Sequence, residues 1–110
     1  MPRKVTKAAT RHARAKRAGI AALGGYFVQF EAQGGGCAIC GYPPKPGGRC
    51  LSIDHDHLTE AVRGLLCQKC NRMLGWARDN SDLLLTGSYY LAHGWGAACA
   101  YRDALKAHSF

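Results

Sequence analysis

The stretch Cys37-Ala-Ile-Cys40 is followed, after 26 residues, by Cys67-Gln-Lys-Cys70. Each Cys-x-x-Cys bends so that both sulfurs can face one ion, and two such pairs supply the four thiolates of a tetrahedral zinc site. A disulfide or redox pair is the alternative, but in a reducing compartment six cysteines favour metal binding. Four thiolates leave no open position for water, so we predict a structural zinc ion at Cys37, Cys40, Cys67 and Cys70.

A dense group of titratable side chains, Asp54-His55-Asp56-His57, lies between the two cysteine pairs. The β-rich runs 51–55 and 61–66 predict two antiparallel strands at this place. Alternate side chains of a strand share a face, so Asp54 and Asp56 would point one way and the two histidines the other. A carboxylate beside an imidazole can bind a hard cation and accept a proton at one point. Taken alone, the tetrapeptide is equally the polar end of a hairpin or a fortuitous metal binder.

The charge of the chain is placed unevenly. Its 110 residues are enough for about one domain, which excludes a large two-lobed enzyme, and its formal charge of +8 favours a polyanionic partner, first of all nucleic acid. Seven basic residues and no acidic ones precede residue 18: Arg3, Lys4, Lys7, Arg11, Arg14, Lys16 and Arg17. We therefore predict a basic N-terminal arm over residues 1–19 and a single domain over residues 20–110. A solvated leader without a specific role is the alternative to a functional arm.

Apolar spacing and helix-breaking residues divide the rest of the chain. A short helix is predicted over 25–33, and after Cys70 a helix over 71–78, a second one from Asn80 or Ser81 through residue 85, a turn over 88–93 and a terminal helix. No run of 18 apolar residues and no secretory signal appears, so we expect a soluble cytoplasmic protein without a membrane partner. The remaining cysteines and histidines are expected to have no ligand role, and the large aromatic residues to be core or dimer contacts: Cys50, Cys99, His12, His93, His108, Trp76, Trp95, Tyr89 and Tyr90.

Three segments together resemble the recombination endonuclease VII family of phage nucleases, part of the HNH or ββα-metal (His-Me finger) group. The segments are Gln33-Gly-Gly-Gly-Cys37-Ala-Ile-Cys40-Gly41, Ile53-Asp54-His55-Asp56-His57, and Val62-Arg63-Gly64-Leu65-Leu66-Cys67-Gln-Lys-Cys70-Asn71, with Leu74-Gly75 beyond. The resemblance covers about residues 30–93. It implies a small α+β fold in which a zinc-stabilised ββα-metal core is flanked by N-terminal and C-terminal helices.

The resemblance also implies a metal-dependent endodeoxyribonuclease, which hydrolyses phosphodiester bonds in DNA. Asp54 and Asn71 would be the ligands of a catalytic Mg²⁺ or Mn²⁺, cations that prefer oxygen ligands. His55 would be the general base, and His57 would contact phosphate or fix the metal site. Arg63 and the basic arm would bind the DNA backbone, although an arginine on an exposed strand is equally often a solvated side chain.

The substrate class that the resemblance favours is branched DNA such as a four-way (Holliday) junction. Two symmetric cuts across a junction need two active sites, so a homodimer is expected. A phage origin, and with it the cytoplasm of a host cell, is implied by the resemblance alone. One departure is Thr59-Glu60-Ala61, which stands where relatives commonly have a Thr-Gly turn. The alternatives are a noncatalytic zinc-ribbon DNA-binding protein, in which residues 54–57 only shape the hairpin, and a general HNH nickase without junction preference.

Overall fold

A computed structural model describes residues 7–106, with side chains from residue 11 onwards. This part of the chain is a small α+β structure, as predicted, with five helices and one two-stranded antiparallel sheet. The elements in chain order are α1 (Lys7–Ala22), α2 (Tyr26–Ala32), β1 (Ser52–His55), β2 (Val62–Leu66), α3 (Gln68–Trp76), α4 (Ser81–His93) and α5 (Trp95–Lys106). The residues up to Asn71 and the residues from Arg72 onwards form two compact units.

Helix α1 packs on the β-hairpin. It runs through residue 19, contacts β1, β2 and α2, and buries Ile20. Gly19 permits the close approach, because a Cβ at this position would overlap the side chain of Val62. The predicted division into an arm over 1–19 and a domain over 20–110 stays a prediction, but the described part of the arm is a helix that lies against the hairpin.

The hairpin forms close to the predicted strands. Ser52 pairs with Leu66, and the register continues to His55 opposite Val62, with an irregularity between Asp54 and His55. Arg63 of β2 is the extra residue of this irregularity, and such an extra residue bends the strand that carries it. His55, the last residue of β1, is buried, with 5% of its surface exposed, and the buried core includes Leu51, Leu65 and Leu66.

The side chain of Gln33, just after α2, joins that helix to β2. Its Oε1 accepts from the Leu65 backbone N–H at 2.8 Å, and its Nε2 donates to the Leu65 carbonyl at 3.0 Å and to the Gly36 carbonyl at 2.9 Å. The amide thus pairs with Leu65 as a neighbouring strand would. Gly36 lies so close to Gly41 that a Cβ would overlap the Gly41 carbonyl oxygen, and this approach closes the turn that contains the first cysteine pair.

The second unit contains a pair of helices, α4 and α5. Asn80 caps α4, since its side chain accepts from the Leu83 backbone N–H at 3.1 Å, and the helix continues to His93 without the break predicted after residue 85. Tyr89 of α4 stacks on Tyr101 of α5 with ring centroids 4.3 Å apart. Trp76 and Trp95 are 82% and 77% exposed, so of the two predicted roles, core or dimer contact, the structure excludes the core for both and the dimer contact stays a prediction. Among residues 7–106, no helix combines the length and hydropathy of a membrane span.

Candidate metal and active site

The four predicted cysteines meet at one point. The sulfurs of Cys37, Cys40, Cys67 and Cys70 all lie within 4.8 Å of one another, and the Sγ atoms of Cys40 and Cys67 are 3.8 Å apart. Zinc–sulfur bonds of about 2.3 Å in a tetrahedron place the sulfurs about 3.8 Å from each other. The first pair lies in the turn after α2 and the second at the start of α3, so the cluster links both ends of the hairpin. The donor set and its spacing fit a structural zinc ion.

The cluster already stabilises negative charge on one sulfur. Burial raises the pKa of the Cys37 thiol, but hydrogen bonds from the backbone N–H groups of Cys67, Cys40 and Ile39 outweigh burial and lower this pKa to about 6. Burial and the neighbouring thiols raise the pKa of Cys70 to about 12. Four thiols this close together cannot all lose their protons unless a cation balances the charge. The electrostatics of the cluster therefore agree with its geometry.

Asp54 is paired with the arginine on the opposite strand. The Nε atom of Arg63 lies 2.7 Å from Asp54 Oδ2, and its second terminal nitrogen lies 3.1 Å from Oδ1. The side chain of Asp54 is only 11% exposed, against 37% for Arg63. This bidentate geometry is the strongest form of the arginine–carboxylate contact, and it fixes the carboxylate at the end of β1. Arg63, which the sequence assigned to DNA phosphate, therefore has a protein partner in this structure.

Three histidines gather beside this pair. His12 of α1, His55 of β1 and His57 of the following loop have ring nitrogens that all lie within 4.8 Å of one another. The shortest distance is 3.3 Å, between His12 Nδ1 and His55 Nε2. The sequence predicted that His55 and His57 would share a side of the strand if the strand persisted; the strand ends at His55, and the two ring centroids lie 4.8 Å apart. His12 was missed: it lies 43 residues before His55, and its helical position next to basic residues gave no signal of a site.

The position of His55 favours the neutral imidazole. Burial lowers the pKa of His55 most, and the nearby charges of Lys16, His57 and His12 lower it further, against an opposing effect of Asp54. The ordinary histidine pKa is already below neutral pH. His55 is therefore a proton acceptor at pH 7, held in place by the strand and by helix α1.

The loop after the histidines is built on Asp56. Its Oδ1 accepts from the backbone N–H groups of Leu58 at 2.7 Å and of Thr59 at 3.0 Å, and these bonds lower the pKa of the Asp56 carboxyl. Glu60 adopts a φ of 63°, a left-handed conformation that suits glycine better than a longer side chain. This is the place where relatives were expected to have a Thr-Gly turn. In this chain the left-handed residue is a glutamate, whose carboxylate lies 3.6 Å from Arg11 of α1.

The remaining predicted site residues are Asn71 and the basic residues of the N-terminal arm. Asn71 is exposed on α3, one residue after the buried Cys70. Within residues 7–106, the groups of three or more histidine, cysteine or acidic side chains that could hold an ion are the cysteine cluster and the histidine cluster, and Asp54 belongs to neither. Of the basic arm, Arg11, Arg14 and Arg17 are exposed and Lys16 is half-buried. Arg3 and Lys4 lie outside the described residues, as does the side chain of Lys7.

Comparison with known proteins agrees with this arrangement. The Gene 59 protein of Mycobacterium phage D29 is 49% identical over 67 residues, which are 60% of this chain and 40% of that protein. The Gene 59 protein of Mycobacterium phage L5 is 48% identical over the same extent, so the alignment spans two fifths of the length of either relative. No solved structure matches the chain. The sequence profile of recombination endonuclease VII matches residues 12–93, and because this span includes both clusters and most of the chain, the protein belongs to the recombination endonuclease VII family.

Proposed function

We propose that this protein is a Mg²⁺-dependent DNA endonuclease whose catalytic site lies at the end of the β-hairpin. The observation that carries the proposal is the buried His55, which follows Asp54 in the sequence and whose lowered pKa favours the neutral imidazole that can accept a proton at neutral pH. The family match supports a nuclease, and the order β1, β2, α3 is compatible with a ββα-metal core. Phosphodiester hydrolysis needs a base for the attacking water and positive charge near the phosphate, and this region offers both.

Asp54 and Asn71 would hold the Mg²⁺, for which Mn²⁺ is the natural substitute. A carboxylate and an amide offer the oxygen donors that both cations prefer, and few protein ligands leave positions for water and phosphate. The ion pair with Arg63 supports this assignment only in that the Asp54 carboxylate already has a positively charged partner. The cation would neutralise charge on the phosphate and on the leaving oxygen. On this proposal Arg63 releases Asp54 when the cation and DNA bind, and then contacts a phosphate.

The chain's own side chains would perform the proton transfer and the positioning. His55 takes a proton from the attacking water, and the strand and helix α1 keep its ring in place. His57, exposed and 4.8 Å away between ring centroids, contacts the phosphate. The zinc ion at the four cysteines would be structural, since it has no free position and ties α3 to the turn after α2. In small zinc domains this binding is worth about 10 to 16 kcal/mol, comparable to the whole folding free energy.

Helix α1 would provide much of the contact with the DNA backbone. Arg14 and Arg17 are exposed on this helix, while Arg11 is engaged with Glu60. Neutralising phosphates releases counterions, so affinity should fall steeply with salt. We propose branched DNA as the preferred substrate and a homodimer as the active form, because paired cuts need two sites.

The test is a cleavage assay on two substrates. Protein without a tag, loaded with one zinc ion per chain, is incubated with a labelled four-way junction and with a linear duplex of the same arm sequence. Mg²⁺ is added or left out of the buffer, rather than removed by a chelator that would also take the zinc. His55→Ala is compared with His93→Ala, which removes an exposed histidine of α4 in the other unit.

We expect Mg²⁺-dependent cutting by the wild type and by His93→Ala, and none by a folded, zinc-loaded His55→Ala. Cutting of the junction alone supports a resolvase, whereas equal cutting of both substrates supports a general nickase. Tight binding of DNA without any cutting would refute the enzyme and favour the noncatalytic zinc-ribbon protein. Normal cutting by His55→Ala would refute the general base while leaving the nuclease intact.

A further inference from the structure

We infer that His12, His55 and His57 form a second metal site, which binds one Zn²⁺ or a similar transition cation and is separate from the cysteine cluster. The three side chains come from a helix, a strand and a loop, and their ring nitrogens lie within 4.8 Å of one another. Zinc–nitrogen bonds of about 2.0 to 2.1 Å in a tetrahedron place two nitrogens about 3.3 Å apart. The distance between His12 Nδ1 and His55 Nε2 is 3.3 Å. This contact is within hydrogen-bonding range, and it also has the length of one edge of the coordination tetrahedron.

The ring orientations favour coordination over stacking. The planes of His12 and His55 are inclined at 49°, those of His12 and His57 at 79°, and those of His55 and His57 at 55°. Stacked rings would turn their faces to each other and their nitrogens away, whereas inclined rings can direct nitrogen lone pairs to a common point. His57 is exposed, so its ring can rotate to shorten the longer distances.

The donor set selects a different cation from the one proposed at Asp54. Neutral imidazoles suit Zn²⁺, Ni²⁺ and Cu²⁺, while Mg²⁺ prefers oxygen. Imidazole ligands bring no negative charge to attract the ion, and the nearby ammonium of Lys16 opposes it, while the carboxylate of Asp54 acts in the opposite direction at His55. We therefore expect weaker zinc binding here than at the four cysteines. Three protein ligands also leave one coordination position open for water or a phosphate oxygen.

The tertiary structure holds His12 at this place from both sides. Arg11, the preceding residue, contacts Glu60 in the loop, and Gly19 and Ile20, two turns further on, dock the helix on the hairpin. His12 is also the first residue of the span that matches the family profile. The helix thus brings a third ligand to two histidines that alone would be a weak pair.

Zinc at this site would occupy the nitrogen of His55 that faces His12, and it would compete with the proton transfer assigned to His55. This consequence rests on the proposed function, but the binding itself does not. We therefore expect zinc at this site to inhibit cleavage. The two claims separate experimentally, because metal content can be measured without substrate.

The test is zinc stoichiometry in the full-length, tag-free protein. Wild type, His12→Ala, His57→Ala and His93→Ala are dialysed against the same buffered free zinc, and metal per chain is measured by mass spectrometry. We expect two ions in the wild type and in His93→Ala, and one in the other two variants, with the second affinity weakened at least about tenfold. Alanine suits the helix at position 12, so circular dichroism and the retained first zinc should show that the variants fold.

A titration of the histidine ring signals by NMR completes the test. Zinc beyond the first equivalent should shift the signals of His12, His55 and His57 together, and should leave His93 in place. A wild type that binds one ion only, or a second ion that survives in His12→Ala, would overturn the inference, whatever the cleavage assay shows. If the His93 signals shift as much as those of the three clustered histidines, the second ion binds non-specifically to surface histidines, and the inference is overturned.

Discussion

Gln33 offers the sharpest test of how the fold holds the candidate site. Its side-chain amide is the link between α2, the first cysteine pair and the buried β2 residue Leu65. Replacing Gln33 by alanine removes this link without introducing a charge or a larger group. Gln29→Ala is the matched control. The Gln29 side chain donates from Nε2 to Gln33 Oε1 at 3.0 Å, so this variant removes a hydrogen bond to the same amide but leaves the hydrogen bonds between Gln33 and β2 in place.

The structure sets the size of the effect. In Gln33→Ala the N–H of the fully buried Leu65 loses the acceptor at 2.8 Å, and the carbonyl of the buried Gly36 loses its donor at 2.9 Å. The Leu65 carbonyl keeps the backbone N–H of Ala38 at 3.0 Å. Two buried groups are left without partners at about 1 to 3 kcal/mol each, and water entering the vacated space recovers part of this. We expect a loss of about 2 to 4 kcal/mol, against about 1 kcal/mol for Gln29→Ala.

The assay must observe the first unit. Trp76 and Trp95 both belong to the second unit, so tryptophan fluorescence would miss the change. Native-state hydrogen exchange of the amides of β2, at a fixed excess of zinc, measures the opening free energy directly. The Leu65 amide should exchange about thirtyfold to a thousandfold faster in Gln33→Ala than in the wild type. An acceleration equal to that of Gln29→Ala would refute the reasoning that the amide acts as a strand partner.

Three further outcomes follow from the described contacts. Cys67→Ser should abolish binding at the cysteine cluster and unfold the first unit, which loss of zinc content and of amide protection in β2 would report. Gly87→Ala should raise the free energy of unfolding by about 1 kcal/mol, because a Cβ at this position of α4 meets open space. Gly19→Ala should lower the free energy of unfolding, because its Cβ would collide with Val62 of β2, and thermal melts of the two variants measure both effects. The double variant Arg14→Ala, Arg17→Ala should reduce the slope of log affinity against log salt by up to about 2 in a DNA-binding titration, and an unchanged slope would remove both side chains from the interface.

Local spacing was sufficient to predict the cysteine cluster and the hairpin. A Cys-x-x-Cys pair determines the direction of its own sulfurs, and two pairs around two β-rich runs leave few ways to close one tetrahedron. The observed strands Ser52–His55 and Val62–Leu66 accordingly fall within the predicted runs. The continuous helix α4 was harder to predict, because Gly87 has a low intrinsic helix propensity, whereas the packing against α5 stabilises the helix through this position.

The contacts of the candidate site were not predictable in the same way. That Arg63 pairs with Asp54 depends on the register of β1 with β2, and the sequence does not specify the irregularity after Asp54. Glu60 adopts a left-handed conformation that non-glycine residues rarely adopt, so sequence propensity does not predict it. The conformation becomes visible only in the folded loop, where Glu60 contacts Arg11. His12 reaches His55 through the docking of a whole helix, a tertiary event without a sequence period of its own.

Helix α1 both carries basic charge for a polyanion and packs against the hairpin, two properties that the sequence suggested were separate. Its exposed Arg14 and Arg17 carry charge for a polyanion, while His12 and Ile20 fix the same helix against the hairpin. A phosphate bound by the exposed arginines would therefore lie at a distance from His55 that the packing of the helix determines. Deleting residues 1–17 would remove charge and architecture together, and weaker binding in that variant would not identify the cause. Substitution on the exposed face alone separates the two, because it leaves the contacts of His12 intact.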